Sequence, residues 1–535
     1  MTMLKCLWVK YNKVMRLCVK LVLLFLFITL LLKPGYAQDS YQPVTFTVNS
    51  FTITGENPLG DKAFKVLQPY LGEQSGLQGL SAAADALEKA LISAGYSFHR
   101  VSLPPQQLTS GTVELEIVRF TIGAINISGN KHFDRQNIEH SLPFLKPGST
   151  PNTRELSSRL KLANNHASKN ILLKFKEGEA EDAIDAELTV QDQNPQLFFL
   201  TLDNTGSVDS EEFRTTLGYQ HGNLFNLDHS ITATLTVSPQ DTSATRQIGF
   251  NYHIPLYQHG ANLDFLFSDS EVNSGSVADG AAVTGKGSVL GFTYTRPLLS
   301  DSNLNHQWST GFKYKSFDND IDLGSGNIIT SEVLSFPLEL GYGFSYSTKT
   351  GVLSGGLSFA MNLDSGSTNT DEDYAAVRQE ADNSWSTLKY DLSYDQVFAE
   401  NWLIHAGLSG QKSSDLLIPG EQFGVGGSNS LRGFEERSVT GDSGREISLE
   451  LWTPSYSGFR FLIFVDQARV TLNSGESFDG ESYNLSSAGV GTRWSWKQQL
   501  SISLDYGVII EGGGADTTIN QDGDAKAHFN LVYRF

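Results

Sequence analysis

The sequence predicts a signal peptide, then two small α+β domains of order βααββ, then a 16-stranded antiparallel transmembrane β-barrel. Three observations carry this reading. A short apolar run follows a basic leader at the start of the chain. One order of strands and helices occurs twice between residues 46 and 192. From residue 196 to the terminal Phe535, strand-length segments alternate apolar and polar residues, with no helical pattern.

Composition fits strands better than helices. The 535 residues include 50 Gly, 32 Phe and 19 Tyr but only 16 Pro and 4 Met, and aromatic residues favour pleated surfaces. There are 59 acidic against 39 basic residues, a net charge of -20. A nucleic-acid binder needs a basic surface to displace counterions, so no nucleic-acid partner is expected.

Residues 1–37 read as the signal peptide. Lys5, Lys10, Lys13, Arg16 and Lys20 precede the apolar run Leu21–Leu32, and Gly35-Tyr36-Ala37 supplies small residues before a cut at Gln38. The run is short for a helix crossing a bilayer core of about 30 Å. Cys6 and Cys18 both lie in this leader. The mature chain therefore has no thiol for a disulfide, a zinc site or a nucleophile.

Residues 46–120 form the first small domain. A strand over 46–54 stops at Gly55, and helices follow over 58–71 and 80–94. Gly95 ends the second helix, and strands over 96–103 and 112–120 complete the order. Residues 121–192 repeat it, with strands over 122–128, 171–177 and 183–191 and helices over 134–142 and 153–168. Gly129 closes the first strand of this copy as Gly55 does in the other, 74 residues away. Two copies are too few for a solenoid, so they read as tandem domains. A βααββ tandem behind a signal peptide resembles POTRA domains, the periplasmic modules of outer-membrane translocation proteins.

Residues 196–535 read as the barrel. The expected strands are 197–204, 211–221, 229–238, 244–254, 260–270, 286–295, 304–317, 331–347, 351–363, 383–397, 401–412, 444–453, 458–472, 483–495, 499–512 and 525–535. An even count lets both ends of the wall face the periplasm. Connections after even strands are short, such as 348–350, and several after odd strands are long, such as 364–382. Short inner turns and long outer loops mark membrane barrels. The outer loops are polar and acidic, as at Asp371-Glu372-Asp373. Asp318, Asp320 and Asp322 alternate, but a calcium loop would need Gly where Leu323 stands, so a solvated outer loop is expected. Trp385, Trp402, Trp452, Trp494 and Trp496 lie near strand ends, where an interfacial girdle is expected. Phe529, Leu531, Tyr533 and Phe535 share one face of the last strand. The terminal Phe535 resembles the C-terminal aromatic that the barrel assembly machinery reads.

The longest connection, 413–443, holds a glycine-rich stretch ending in Leu431-Arg432-Gly433-Phe434. Strand 458–472 contains Phe464-Val465-Asp466. If Phe461, Ile463 and Val465 face lipid, Asp466 faces the lumen. An Arg on an inward-folded loop and an Asp on the inner wall can form a charge-assisted, bidentate pair. Leu-Arg-Gly-Phe resembles the loop motif of the outer-membrane assembly-factor superfamily, and Phe464 with Asp466 resembles its companion strand motif. Together with two POTRA-like domains, the chain resembles the transporter of two-partner secretion, the haemolysin and filamentous-haemagglutinin secretion/activation family. The resemblance implies that loop 413–443 lies in the lumen and that Arg432 contacts Asp466. Several family members place a pore-plugging helix before the first POTRA domain. Here only Gln38–Thr45 precede the first strand, so plug regulation is not carried over.

No His-Glu-x-x-His, Gly-x-Ser-x-Gly or phosphate-binding loop occurs. No enzyme, cofactor or metal is expected. The expected function is a passive outer-membrane pore with its two N-terminal domains in the periplasm. An unfolded exoprotein, large and repeat-rich, would dock by strand addition at Tyr96, Phe98, Val101 and Leu103, then thread the lumen. The other partners are the barrel assembly machinery and outer-membrane lipid. A chaperone-insertase for other barrels is the first alternative; two rather than three or more POTRA-like domains weigh against it. A diffusion porin would leave the tandem domains and Leu431–Phe434 unexplained.

Overall fold

The computed structural model describes residues 45–535, apart from 109, 207–210, 243–244, 273–275, 278–280, 283–284, 299–302, 323–327, 477–478 and 514–519. The signal-peptide expectation lies outside the described residues. Two compact units divide the chain: residues up to Leu87 with Val101–Glu116, and Glu88–Arg100 with Ile117–Phe535.

In the first unit the strand expected over 46–54 is two strands. β1 (Thr45–Val48) and β2 (Ser50–Gly55) part at Asn49, because the amides of Asn49 and Ser50 both donate to the Gly111 carbonyl. β1 then pairs antiparallel with β3 (Gly72–Ser75), which periodicity did not reveal. α1 (Asp61–Leu67) runs into a 3-10 turn at Gln68–Tyr70. α2 (Gln78–Ser93) buries Leu80, Ala83 and Leu87. The three-stranded sheet has the order β2, β5 (Thr112–Arg119), β4 (His99–Ser102).

The strand expected over 96–103 shrinks to the four residues of β4. α2 ends in a Schellman turn in the second unit. The Gly95 amide bonds to Ile92 and the Tyr96 amide to Leu91, with Gly95 at φ 93°. The His99 amide then closes a further turn onto Tyr96. Tyr96 and Phe98 therefore lie outside the strand, and the Phe98 ring packs edge-on against Phe175 at 4.7 Å.

The second unit repeats the sheet order: β6 (Thr121–Ser128), β8 (Ala183–Asp192), β7 (Lys169–Glu177), with β6 parallel to β8. α3 (Arg135–Ser141) is capped by Asp134, whose side chain accepts from the Asn137 amide at 2.8 Å. α4 (Thr153–Asn164) stops short of the expected residue 168, because a bridge from His166 to Lys169 opens β7. The packed core includes Ile122, Phe133, Ile138, Leu162, Leu188 and, from the barrel, Tyr257.

Tyr257 belongs to a buried polar lock between this α/β sheet and the inner turns of the barrel. Asp228 accepts from Lys169 Nζ, from Asn137 Nδ2 at 2.8 Å and from the Tyr257 hydroxyl at 2.6 Å. The Lys169 and Asp228 side chains are both fully buried. Burial lowers the Lys169 pKa while Asp228 opposes it, and burial raises that of Tyr257.

The barrel is closed and antiparallel. Its wall runs β9 (Gln196–Asp203), β10 (Arg214–Leu224), β11 (His229–Val237), β12 (Arg246–Leu256) and β13 (Ala261–Val272). A two-residue ladder, β14 (Ser276–Val277) with β15 (Ala281–Ala282), stands outside the wall. The wall resumes with β16 (Gly285–Pro297), β17 (Leu304–Asp322), β18 (Ile328–Ser335), β19 (Pro337–Ser347), β20 (Gly351–Asn362) and β21 (Ser386–Phe398). It ends with β22 (Trp402–Lys412), β25 (Ser443–Trp452), β26 (Phe459–Leu472), β27 (Glu481–Trp496), β28 (Leu500–Glu511) and β29 (Ala525–Arg534). β18 and β19 both pair with β17. They form one strand interrupted at Phe336, before a proline that lacks an amide, so the wall counts sixteen. β29 closes onto β9, and the Phe535 amide extends that seam to the Phe198 carbonyl at 2.9 Å. Closure leaves no strand edge in the bilayer.

The outer face is apolar. Phe461, Ile463 and Val465 are each more than half exposed, and Leu449 and Tyr506 likewise point out. Among the described residues no helix is long and apolar enough to cross a membrane; the strands do so.

Several outer connections hold structure that their sequence did not announce. Asp318, Asp320 and Asp322 extend β17 and pair with Glu332, Thr330 and Ile328, so the expected loop is a hairpin ladder. α5 (Asp371–Val377) replaces the expected irregular acidic loop. Its seven residues are too short to display a period, but Thr370 and Asp373 make a capping box. Trp385 is not in an interfacial girdle. It is buried beside Tyr374, Leu417 and Ile418, and its indole donates to the Tyr374 hydroxyl. Trp452 also departs from the girdle: its indole donates to Glu450, with Arg460 and Arg493 beside the ring.

Candidate functional site: a loop anchored in the lumen

The connection from β22 to β25 folds back inside the wall as a hairpin, β23 (Phe423–Val425) with β24 (Val439–Gly441). Glycine makes the fold-back possible. Gly426 and Gly427 have φ of 113° and 105°, in the region that side chains rarely adopt. A Cβ at Gly426 would lie 2.3 Å from the Glu435 carbonyl oxygen. Arg437 braces the base by donating to the carbonyls of Pro419 and Gln422.

The turn carries Leu431, Arg432, Gly433 and Phe434 onto the inner wall. Leu431 and Phe434 are fully buried and pack with Ala468, Val470, Leu485 and Ile509 in a small apolar patch. Gly433 has φ 94°, and its amide donates to Nε2 of His528 at 3.0 Å.

Arg432 meets Asp466 with two prongs. Its Nε donates to Oδ2 and its Nη2 to Oδ1, both at 2.8 Å, and its own amide adds a third bond at 3.2 Å. Nη1 pairs with Glu450 at 2.7 Å, and Ser448 donates to Asp466 at 2.7 Å. The Phe464 ring lies 3.6 Å from the guanidinium carbon. Every edge of the guanidinium is thus satisfied by carboxylate or hydroxyl, with an aromatic face beneath it. That arrangement suits Arg and not Lys, whose ammonium has neither the fork nor the flat face. The two carboxylates balance the buried cation, and the Phe464 ring covers its face.

The sequence singled out Leu431–Phe434, Phe464 and Asp466, and the fold brings these six together. It did not single out Ser448, Glu450 or His528. The signal for the first two was present. Ser448 is directly opposite Asp466 in the β25–β26 register, and Glu450 has the same inward parity. His528 carried the same signal, since it alternates with Phe529, Leu531 and Tyr533 on β29 and stands opposite Asp505. Phe529, Leu531 and Tyr533 lie on β29, and Phe535 follows it with its ring edge-on to Tyr533 at 4.8 Å. Tyr96, Phe98, Val101 and Leu103 are far in sequence from this loop. Val101 is buried in β4, whereas Tyr96, Phe98 and Leu103 are part-buried and lie outside the strand.

A closed sixteen-stranded barrel with a wall loop folded inward, preceded by βααββ units, defines an outer-membrane protein transporter of the POTRA-plus-barrel class. Residues 182–494 match the family described as haemolysin secretion/activation protein ShlB/FhaC/HecB, and residues 46–119 match its ShlB-type POTRA domain. The chain belongs to the haemolysin secretion/activation protein family. It is 20% identical over 512 residues to the heme/hemopexin transporter protein HuxB of Haemophilus influenzae, covering 94% of this chain and 86% of that one. It is 20% identical over 436 residues to the outer membrane transporter CdiB of Escherichia coli, covering 77% and 70%. The fold is similar to solved CdiB from Escherichia coli, with TM-score 0.75 at 16% identity over 94% and 93% of the two chains. CdiB from Acinetobacter baumannii gives 0.70 at 18% identity over 92% and 90%. The protein is an outer-membrane transporter of two-partner secretion, with its POTRA region in the periplasm.

Proposed function

We propose that residues 46–120 capture an unfolded exoprotein in the periplasm, that residues 121–192 hand it to the barrel, and that residues 196–535 pass it to the cell surface. Capture near β4 relies on the short edge strand and Leu103 rather than on the longer strand expected from sequence, since Tyr96 and Phe98 are committed elsewhere. The observation that carries the reading is the loop across the lumen, held by the forked Arg432–Asp466 pair. A loop of this kind suits a conduit that must close when empty and yield when a chain arrives.

Transport by this route is passive. The sequence contains no nucleotide-binding loop, so client folding outside the cell supplies the direction. The chain is read as a conduit and not an enzyme. The Phe529–Phe535 segment is read as the signal for the assembly machinery. The relatives carry names as different as heme/hemopexin transporter and outer membrane transporter, so the client is best found directly. A strain lacking this protein should lose one large protein from the culture supernatant and regain it on complementation. An unchanged supernatant would contradict the reading.

A further inference from the structure

We infer that Glu421 is a second positioning residue of the lumen loop, fixing its near end to a part of the wall remote from Asp466. The inference rests on reading loop 413–443 as the element that closes the pore. Glu421 is almost fully buried, with its side chain 3% exposed. Its Oε2 pairs with Lys315 Nζ at 2.7 Å and its Oε1 accepts from Ser335 Oγ at 3.0 Å. Its carbonyl accepts from Gln411 Nε2 at 3.0 Å. Lys315 is on β17 and Ser335 on β18, whereas the Arg432 contacts Ser448 and Asp466 are on β25 and β26. In the wall order, β20, β21 and β22 separate the two sets. Next to Glu421, a Cβ on Gly420 would lie 2.4 Å from the Phe317 ring, so the chain rests directly on β17 there.

The loop is therefore strapped at Glu421 as well as at Arg432, each time by a carboxylate–cation contact with a hydroxyl alongside, in addition to the Lys526–Glu435 and Arg378–Asp442 pairs. The polarity of the two is reversed. At the far end the loop supplies the cation and the wall the carboxylate; at the near end the loop supplies the carboxylate and the wall the cation. Breaking the Arg432 contact loosens the tip but leaves the chain tied at Glu421. Breaking the Glu421 contact leaves Lys315 bare in the lumen beside the Lys313–Glu339 pair. Both contacts, together with the Lys526–Glu435 pair, must yield before the loop can swing clear, and release at Glu421 changes the charge lining the path.

The test uses the full-length barrel in planar bilayers, where no exoprotein is needed. Glu421→Ala and Lys315→Met should each raise single-channel conductance, because each unties the same end of the loop. They should shift the reversal potential in a KCl gradient in opposite directions: toward anions when Glu421 is removed, toward cations when Lys315 is removed. The exchange Lys315→Glu with Glu421→Lys should restore a low conductance. A role in fold stability alone would lower the yield of heat-modifiable barrel without opposed selectivity. Opposed selectivity with unchanged conductance in both variants would mean that Glu421 is a lumen charge but no tether, and would overturn the inference. Should Glu421→Ala fail to assemble, Ser335→Ala serves in its place, and wild-type conductance in both Ser335→Ala and Lys315→Met would equally overturn it. Loss of secretion is scored separately, so a failure of the capture-and-threading reading leaves this result interpretable.

Discussion

Gly433 on the lumen loop and Gly507 on β28 meet backbone to backbone. A Cβ on Gly433 would lie 3.0 Å from the Gly507 carbonyl carbon, and one on Gly507 would lie 2.7 Å from the Gly433 amide nitrogen. The contact sets how deeply Arg432 reaches, since the residue before Gly433 must arrive level with Asp466. It also explains why two glycines on distant segments are needed where a side chain would otherwise fill space.

Gly507→Ala should therefore push the loop off the wall while leaving every charged group in place. Gly433→Ala adds the strain of a side chain at φ 94°, of order 1–3 kcal/mol. We expect both to reduce exoprotein in the supernatant per folded barrel, Gly433→Ala the more. Normal secretion by Gly507→Ala would show that the close approach is dispensable.

Lys169→Met should loosen the α/β sheet from the barrel turns. Removing one member of a buried pair costs about 3–5 kcal/mol when the other charge is stranded. Asp228 would keep Asn137 and Tyr257, which places the loss toward the lower end. Limited proteolysis of residues 121–192 in purified barrel should become faster. An unchanged cleavage rate would contradict the lock.

Asp192 gives the second small domain a pH dependence. Burial acts to raise its pKa, but the amides of His132, Lys131 and Phe133 all bond to its carboxylate and together lower it below the ordinary carboxylate range. A lowered carboxylate stabilises the fold above its unfolded pKa and loses that contribution as pH falls through the folded value. Hydrogen exchange at these three amides should thus lose protection only in acid. Asp192→Asn should exchange fast at neutral pH as well. Acid-independent protection in the unaltered protein would argue against the assignment.

Deleting Phe535 should lower the amount of assembled barrel more than the activity of each assembled molecule. The residue lies past β29, and its amide bonds at the closing seam with Phe198, away from the lumen loop. Equal heat-modifiable barrel in membranes from both strains would refute this.

The wall was legible because its physics is repetitive. Alternation with period two, short inner turns and long outer loops located all sixteen strands to within a few residues. Local segments failed where a distant partner decided the outcome. Asn49 breaks the first strand because Gly111 lies beside it, and Tyr96 leaves its strand because Gly95 closes a helix. α5 escaped notice because seven residues make less than two full turns of pattern, and the burial of Trp385 depends on that helix. At the lumen loop, charge and glycine spacing pointed to Arg432 and Asp466. Glu421 carried no such mark: its partners Lys315 and Ser335 stand more than eighty residues earlier on a different part of the wall.

The central claim is that the Arg432–Asp466 fork positions the loop for transport and does not merely brace the fold. The direct measurement is exoprotein in the supernatant per unit of folded barrel, for Arg432→Ala, Arg432→Lys and Asp466→Ala. The barrel should still assemble, because its backbone ladder does not use this pair. Secretion should fall in all three, including Arg432→Lys, since an ammonium cannot bridge both Asp466 oxygens and Glu450 at once. Secretion at the unaltered level by both Arg432→Ala and Asp466→Ala, from normally assembled barrels, would contradict the account.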